Sequence, residues 1–111
     1  MARRREGKVE TYFKDRIASI GGRSYKWVCP GEAGVMDQIV IIQGWTFFVE
    51  IKTGTGTLSI QQKRKAEELR QLGATVYTAK DFEGVNRVVQ EILMHCQMYG
   101  HAARRAHAIR D

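Results

Sequence analysis

Cysteine is scarce in this sequence, and its scarcity excludes two kinds of stabilisation. Only Cys29 and Cys96 occur, they lie far apart, and neither belongs to a C-x-x-C pair. A structural zinc site or a disulfide framework is therefore not expected, and both residues are interpreted as reduced, partly buried thiols. The 111 residues fit one domain, and the 43% of hydrophobic residues suffice for one modest core.

Long apolar runs are also missing. No segment approaches the roughly 18 residues that a membrane-crossing helix needs. The chain starts with a basic segment, residues 1–6, but no apolar signal-peptide core follows it. We therefore expect a soluble, intracellular protein.

Positive charge is in excess and lies mainly at the two ends. The net charge is +6 and the pI is near 9.6. Residues 1–8 carry a net charge of +3 and residues 100–111 a net charge of +2. This distribution favours a basic N-terminal arm at 1–8 and a basic C-terminal tail at 100–111, which as flexible segments would reach phosphates, around a domain spanning 9–99. For residues 100–111, an extension of the last helix is the alternative to a frayed tail. Basic ends that only aid solubility are the alternative.

Apolar periodicity and turn signals predict seven elements. Ser59 and Gln62 have the spacing of a capping box, and Gly73 is predicted to end the same helix. The segment 54–57 is predicted to be a flexible loop. The predicted elements are a helix at 6–20, strands at 24–28, 35–42 and 46–51, a helix at 59–73, a strand at 75–78 and a helix at 82–98. This α-β-β-β-α-β-α order predicts an α/β fold with a mixed sheet flanked by helices.

Three charged residues are predicted to meet at one end of this sheet. Glu50 and Lys52 point to the same face of a strand because side chains alternate along it. A hairpin that turns at Gly44 places Asp37, near the start of the preceding strand, beside them. Two adjacent carboxylates repel each other, and a hard divalent cation such as Mg²⁺ relieves that repulsion. The alternative is an ordinary salt-bridged strand end.

The same residues resemble a known family. Asp37 followed by Glu50-Ile51-Lys52 is similar to the D…(D/E)-x-K core of the PD-(D/E)XK nuclease superfamily. The segments 34–37, 48–53 and 58–62 resemble the VRR-Nuc family more narrowly, and Met36 stands where that family usually has proline. The resemblance covers about residues 9–88 and implies a restriction-endonuclease-like core.

The resemblance also implies roles for individual residues. Asp37 and Glu50 would be metal ligands, with the carbonyl of Ile51 as a further ligand, and Lys52 would lie beside the scissile phosphate. A glutamate on the first helix commonly joins such sites; Glu10 is the first candidate and Glu6 the second.

Other side chains are expected to touch the substrate. Gln61 lies in the first turn of the second helix, where unpaired N–H groups favour anions, and Gln62 is expected to be occupied by capping. Gln61 is therefore the candidate that orients water or phosphate. The candidate phosphate contacts are Lys26, Lys63, Arg64 and Lys65. The three histidines, His95, His101 and His107, are interpreted as surface residues.

These observations predict a DNA endonuclease that depends on Mg²⁺ or Mn²⁺ and resembles Holliday-junction resolvases. A homodimer would present two active sites to branched DNA. The alternatives are a nuclease for flaps, nicks or plain duplex, and a DNA-binding module without catalysis. The expected location is the cytoplasm of a bacterial or phage-infected host cell.

Overall fold

Helices and strands follow one another in the predicted order. The computed structural model describes the backbone of residues 2–53 and 57–110 and the side chains of residues 7–53 and 57–99. Of the predicted loop at 54–57, residues 54–56 lie outside these ranges. The elements are α1 (Ala2–Ser19), β1 (Arg23–Lys26), β2 (Gln38–Ile42), β3 (Trp45–Ile51), α2 (Ile60–Gln71), β4 (Thr75–Ala79) and α3 (Phe82–Arg110).

The four strands form one mixed sheet in the order β1-β2-β3-β4. β1, β2 and β3 are antiparallel neighbours, and α2 carries the chain across to β4, which pairs with β3 in parallel. Ile42 pairs with Trp45, so the predicted hairpin turns over Gln43 and Gly44 alone. Both have positive φ angles, 51° and 84°, as a tight two-residue turn of type I′ requires. The predicted α/β class and mixed sheet are confirmed.

The main core lies between the sheet and the pair α1 and α3. Its buried residues include Phe13 of α1, Val89 of α3 and Phe47 of β3. α2 covers the opposite face, where Met36 and Ala66 belong to a second, smaller buried cluster. Alternation along β3 therefore assigns Phe47, Val49 and Ile51 to the face of α1 and α3, and Phe48 and Glu50 to the face of α2.

Three boundaries differ from the predictions by three residues or more. β2 begins at Gln38 rather than at residue 35, because positive φ angles at Gly31 and Gly34 turn the chain before it reaches the sheet. The backbone of both predicted basic segments is helical as far as it is described, since α1 begins at Ala2 and α3 continues to Arg110. No helix in the described part of the chain is long and apolar enough to cross a membrane.

Candidate active site

Asp37 and Glu50 lie against each other where β2 begins and β3 ends. Gln38 pairs with Val49, so one further step of the same register puts Asp37 opposite Glu50. The backbone amide of Asp37 donates a hydrogen bond to Glu50 Oε1 at 3.1 Å. The backbone amide of Ile51 donates to Asp37 Oδ1, also at 3.1 Å. The hairpin thus brings together the two carboxylates predicted from the sequence.

The first turn of α2 supplies a third polar group. Gln62 Nε2 donates to Glu50 Oε2 at 3.0 Å, and Glu50 is 5% exposed. The other end of the same amide completes the predicted capping box: Gln62 Oε1 accepts from the Ser59 amide, and Ser59 Oγ accepts from the Gln62 amide. Gln62 is a site residue that the sequence analysis missed, because capping was taken to occupy the whole side chain. The available signal was that a glutamine amide has a separate donor and acceptor.

Asp37 is held in an environment that disfavours its charge. Burial raises the pKa of its carboxyl from 3.8 to about 7, with further raising by the negative charges of Glu50 and Glu10. The hydrogen bond from the Ile51 amide acts in the opposite direction and is outweighed. A cation at this position would offset both the burial and the repulsion.

Glu10 is joined to the site indirectly. Gln38 is fully buried, and its Nε2 donates to Glu10 Oε1 at 3.0 Å while its Oε1 accepts from Ser24 Oγ. Lys14, one turn later on α1, lies 3.8 Å from Glu10. Gln38, the residue of β2 that follows Asp37, thereby holds Glu10, the first-helix glutamate predicted to join the site, against β2. The side chain of Glu6, the second candidate, lies outside the described side chains.

The donor set fits a hard divalent cation. Within the described ranges, no three His, Cys, Asp or Glu side chains are grouped closely enough to hold a metal ion. The donors at this strand end are instead two facing carboxylates, with the backbone carbonyl of Ile51 between Glu50 and Lys52. Mg²⁺ is commonly bound by one or two carboxylates and completes its shell with water and phosphate oxygens.

Lys52 follows directly on the last residue of β3. Its backbone amide donates to the carbonyl of Ala79 at 2.8 Å, which extends the pairing with β4 by one residue. The side chain is half-buried, two positions after Glu50 and therefore on the same side of the sheet.

The predicted substrate contacts divide into exposed and paired residues. Gln61, Lys63 and Arg64 are exposed on α2, and Lys26 is exposed at the end of β1. Gln61 and Arg64 line a surface cavity of about 210 Å³. Lys65, in contrast, is bound by two carboxylates of this chain.

Lys65 forms ion pairs with Glu32 and Glu68, each at 2.6 Å, and its side chain is 15% exposed. Hydrogen bonds to these carboxylates raise the pKa of Lys65. Its charge is thus already compensated within the chain, unlike that of a free phosphate contact.

His95 does not occupy the predicted surface position. It is half-buried on α3, with ring centroids 4.6 Å from Trp45, 5.1 Å from Phe47 and 4.9 Å from Tyr99. The six-residue spacing of the three histidines gave no signal for this position, because it matches no helical face. The side chains of His101 and His107 lie outside the described side chains.

Known proteins resemble this chain in both sequence and structure, although no protein-family model matches it. It is 36% identical over 73 residues to the protein named "Putative nuclease p44" of Acyrthosiphon pisum secondary endosymbiont phage 1, covering 65% of this chain and 78% of that protein. A solved structure described as "VRR_NUC domain" matches with a TM-score of 0.73 and 32% identity, covering 78% of this chain and 95% of the other. This chain belongs to the VRR-Nuc family.

VRR-Nuc membership confirms the resemblance predicted from Asp37, Glu50 and Lys52 and the restriction-endonuclease-like α/β fold. It also places the chain among nucleases. A second solved structure, described as "VRR_NUC domain protein", shares the fold with a TM-score of 0.65 at 23% identity and covers 78% of this chain and 86% of the other. Met36, at the position where the resemblance implies a proline, is fully buried in the cluster beneath α2.

Proposed function

We propose that this VRR-Nuc protein hydrolyses phosphodiester bonds in DNA and depends on Mg²⁺ or Mn²⁺. The observation that carries the proposal is the facing pair Asp37 and Glu50, in which burial and mutual repulsion raise the pKa of Asp37 to about 7. A pair of carboxylates under such repulsion is suited to a divalent cation. The family resemblance supports the same chemistry.

Each site residue has a proposed role. Asp37, Glu50 and the carbonyl of Ile51 would hold the ion, which when bound supplies a Lewis acid for the phosphate and lowers the pKa of a water molecule. Lys52 would stabilise the negative charge that develops on the scissile phosphate. Glu10, tied to β2 through Gln38, would add negative charge beside Asp37 and attract the cation.

The proposed DNA contacts differ in how exposed and how free of ion pairs their side chains are. Lys26, Lys63 and Arg64 are exposed and would contact phosphates, and Gln61 would orient a phosphate or water near the first turn of α2. Lys65 remains a weaker candidate, because Glu32 and Glu68 already bind its ammonium group.

The test is cleavage of DNA by purified protein with Mg²⁺, Mn²⁺ or Ca²⁺, or with chelator. Asp37→Asn and Glu50→Gln remove one ligand charge each, and Asp15→Asn, on the exposed surface of α1, is the matched control. We expect Mg²⁺ or Mn²⁺ to support cleavage by the wild type and the control, with a loss of about 100-fold or more in both site variants. Ca²⁺ should permit binding without efficient cleavage. Undiminished cleavage in chelator would exclude metal dependence, and binding without any cleavage would favour a non-catalytic module.

The proposed substrate is branched DNA, with a homodimer as the active form. A two-fold dimer would present two sites in opposed orientation, as the paired nicks of a four-way junction require. A nuclease for flaps, nicks or plain duplex is the competing outcome of the substrate test. The proposed location is the cytoplasm of a bacterial or phage-infected cell, which agrees with the phage origin of the relative.

A further inference from the structure

The loop between β1 and β2 approaches the first turn of α2 more closely than side chains normally permit. A Cβ atom added to Gly34 would overlap the carbonyl oxygen of Gln61 and lie 2.9 Å from the amide nitrogen of Gln62. These obstacles are backbone atoms of a helix, which cannot turn aside as a flexible side chain would. Only glycine therefore permits this distance.

Two further contacts hold the same loop against α2. Glu32 Oε1 lies 2.6 Å from Lys65 Nζ, one turn further along the helix. Met36 is fully buried in the cluster that contains Ala66 of α2. The loop that leads into Asp37 thus contacts α2 through Glu32, Gly34 and Met36.

The first turn of α2 is also the part of the helix that reaches the carboxylates. Gln62, whose amide nitrogen faces Gly34, donates its side-chain amide to Glu50 at 3.0 Å. A hydrogen bond of 3.0 Å is lost once its donor has moved away by roughly 0.6 Å. A displacement of the first turn of α2 away from the Gly34 loop would therefore also displace the donor of this hydrogen bond.

We propose that Gly34 is a positioning residue for the active site. By lacking a side chain it lets the first turn of α2 lie close enough to the sheet for Gln62 to orient Glu50. The consequence for metal binding rests on the proposed function; the consequence for the contact between Gln62 and Glu50 does not.

Gly31 provides a matched control for the backbone conformation. Its φ angle is +84°, against +80° for Gly34, but a Cβ atom added to Gly31 would meet nothing within 4 Å. Gly31→Ala and Gly34→Ala therefore share the strain of alanine in a left-handed conformation. Only Gly34→Ala adds the collision with α2.

The first experiment records the side-chain amide signals of Gln62 by NMR in the metal-free protein. Glu50→Ala provides the signals expected when the hydrogen bond is absent. We expect Gly34→Ala to move the Gln62 signals to those positions, and Gly31→Ala to leave them at the wild-type positions. Wild-type signals in folded Gly34→Ala would overturn the proposal.

The second experiment measures Mg²⁺ affinity for Gly34→Ala, Gln62→Ala and the double variant. Groups that orient a metal ligand typically contribute 10- to 100-fold in metal affinity, so each single variant should lose about ten-fold or more, and Gly31→Ala less than about two-fold. If Gly34 acts through Gln62, the double variant should bind no more weakly than the single ones. Losses that multiply would overturn the proposal. If the wild type neither binds Mg²⁺ nor cuts DNA, the proposed function fails while the NMR signals still decide the role of Gly34.

A milder pair of variants applies if Gly34→Ala does not fold. Glu32→Gln removes the ion pair between the loop and α2, and Glu67→Gln makes the same charge change on the exposed side of the helix. We expect the Gln62 signals to move part of the way towards the Glu50→Ala positions in Glu32→Gln alone. In that case, unmoved signals would overturn the proposal.

Discussion

Hydrogen bonds from backbone amides hold the carboxylates of Asp37 and Glu50 close together, although their negative charges repel each other. Asp37 accepts from the Ile51 amide, and Glu50 accepts from the Asp37 amide. A hydrogen bond to a charged group contributes about 1.5–3 kcal/mol, yet burial and the neighbouring charge outweigh it at Asp37, whose pKa rises to about 7. At Asp37, burial and charge repulsion therefore dominate over the hydrogen bond, and the titration of Asp37 in the metal-free protein can test this.

We predict that the stability of the metal-free protein decreases with pH through the titration of Asp37. The pKa is about 7 in the folded state against 3.8 unfolded, so the folded protein binds the proton more tightly. The resulting stabilisation is fully present below pH 3.8 and is lost as the pH rises to about 7. Between about pH 5 and about pH 8, the free energy of unfolding of Asp37→Asn should therefore rise relative to that of the wild type, by roughly 1–2 kcal/mol after solvent screening.

Urea unfolding of both proteins in chelator at these two pH values is the measurement. When Mg²⁺ replaces the chelator, the stability of the wild type at the higher pH should increase. The stability of Asp37→Asn should not change, because a ligand stabilises only the state that binds it. Equal pH dependence of the two proteins would contradict the raised pKa.

Lys52 is predicted to act on the reaction rather than on the fold. Lys52→Ala should lower the rate of cleavage about 100-fold or more, as expected when a group that stabilises transition-state charge is removed, with a small change in DNA affinity. Lys80→Ala, which removes an exposed lysine just after β4, is the control. Single-turnover rates and binding constants for both variants check the prediction. A loss confined to DNA affinity would make Lys52 a binding residue instead.

At the scale of the element, the first turn of α2 combines two tasks in one side chain. Capping requires only the Oε1 atom of Gln62, so the Nε2 atom remains available to Glu50. Ser59 contributes to capping alone, through the Gln62 backbone amide. The two tasks can therefore be separated by mutation.

Ser59→Ala and Gln62→Ala should both destabilise the protein by about 1 kcal/mol, the typical cost of a lost helix cap. Only Gln62→Ala should weaken Mg²⁺ binding and cleavage, by about ten-fold or more. Gln61→Ala, on the exposed side of the same turn, should change metal affinity less than two-fold, about the size of ordinary context effects. Thermal unfolding with Mg²⁺ titration tests all three variants. Equal metal affinity in Ser59→Ala and Gln62→Ala would show that Gln62 acts only as a cap.

At the scale of the whole molecule, the feature that bears on phosphate contacts is the position of the positive charge. The ends contribute most of the net charge of +6, and both ends belong to helices that extend from the domain as far as they are described. A proposed dimer would carry two copies of each basic helical extension. Contacts of this kind would be made with phosphates and would depend strongly on salt.

We predict a dimer in solution that cleaves four-way junctions faster than linear duplex of matched sequence, by about ten-fold or more if both sites are used. Binding should weaken linearly in log–log plots against salt, with a slope that counts the phosphates contacted. Solution mass and cleavage of junction, flap and duplex at one salt concentration are the measurements. A monomer at assay concentration, or equal rates on junction and duplex, would remove the resolvase proposal and leave a general nuclease.

Individual residues show, in physical terms, how much of the geometry of the candidate site could be predicted from the sequence. The register of a two-residue hairpin is set locally, so the meeting of Asp37 and Glu50 follows from counting residues to Gln43 and Gly44. Gln61 and Gln62 are chemically identical neighbours, and only the direction of the helix relative to the sheet decides which one contacts Glu50. Lys65 looks like any exposed lysine until Glu32, thirty-three residues away in sequence, is placed beside it.

The sequence by itself determined the order of the elements, the hairpin between β2 and β3, the capping box at Ser59 and the residues that carry the family resemblance. Each of these depends on periodicity, turn chemistry or motif spacing over a few neighbouring residues. Only the tertiary structure decided the raised pKa of Asp37, the bridge from Gln38 to Glu10 and the close approach of Gly34 to α2. Burial and charge–charge distance are properties of segments far apart in the chain, and they take definite values only when the sheet and its helices have packed together.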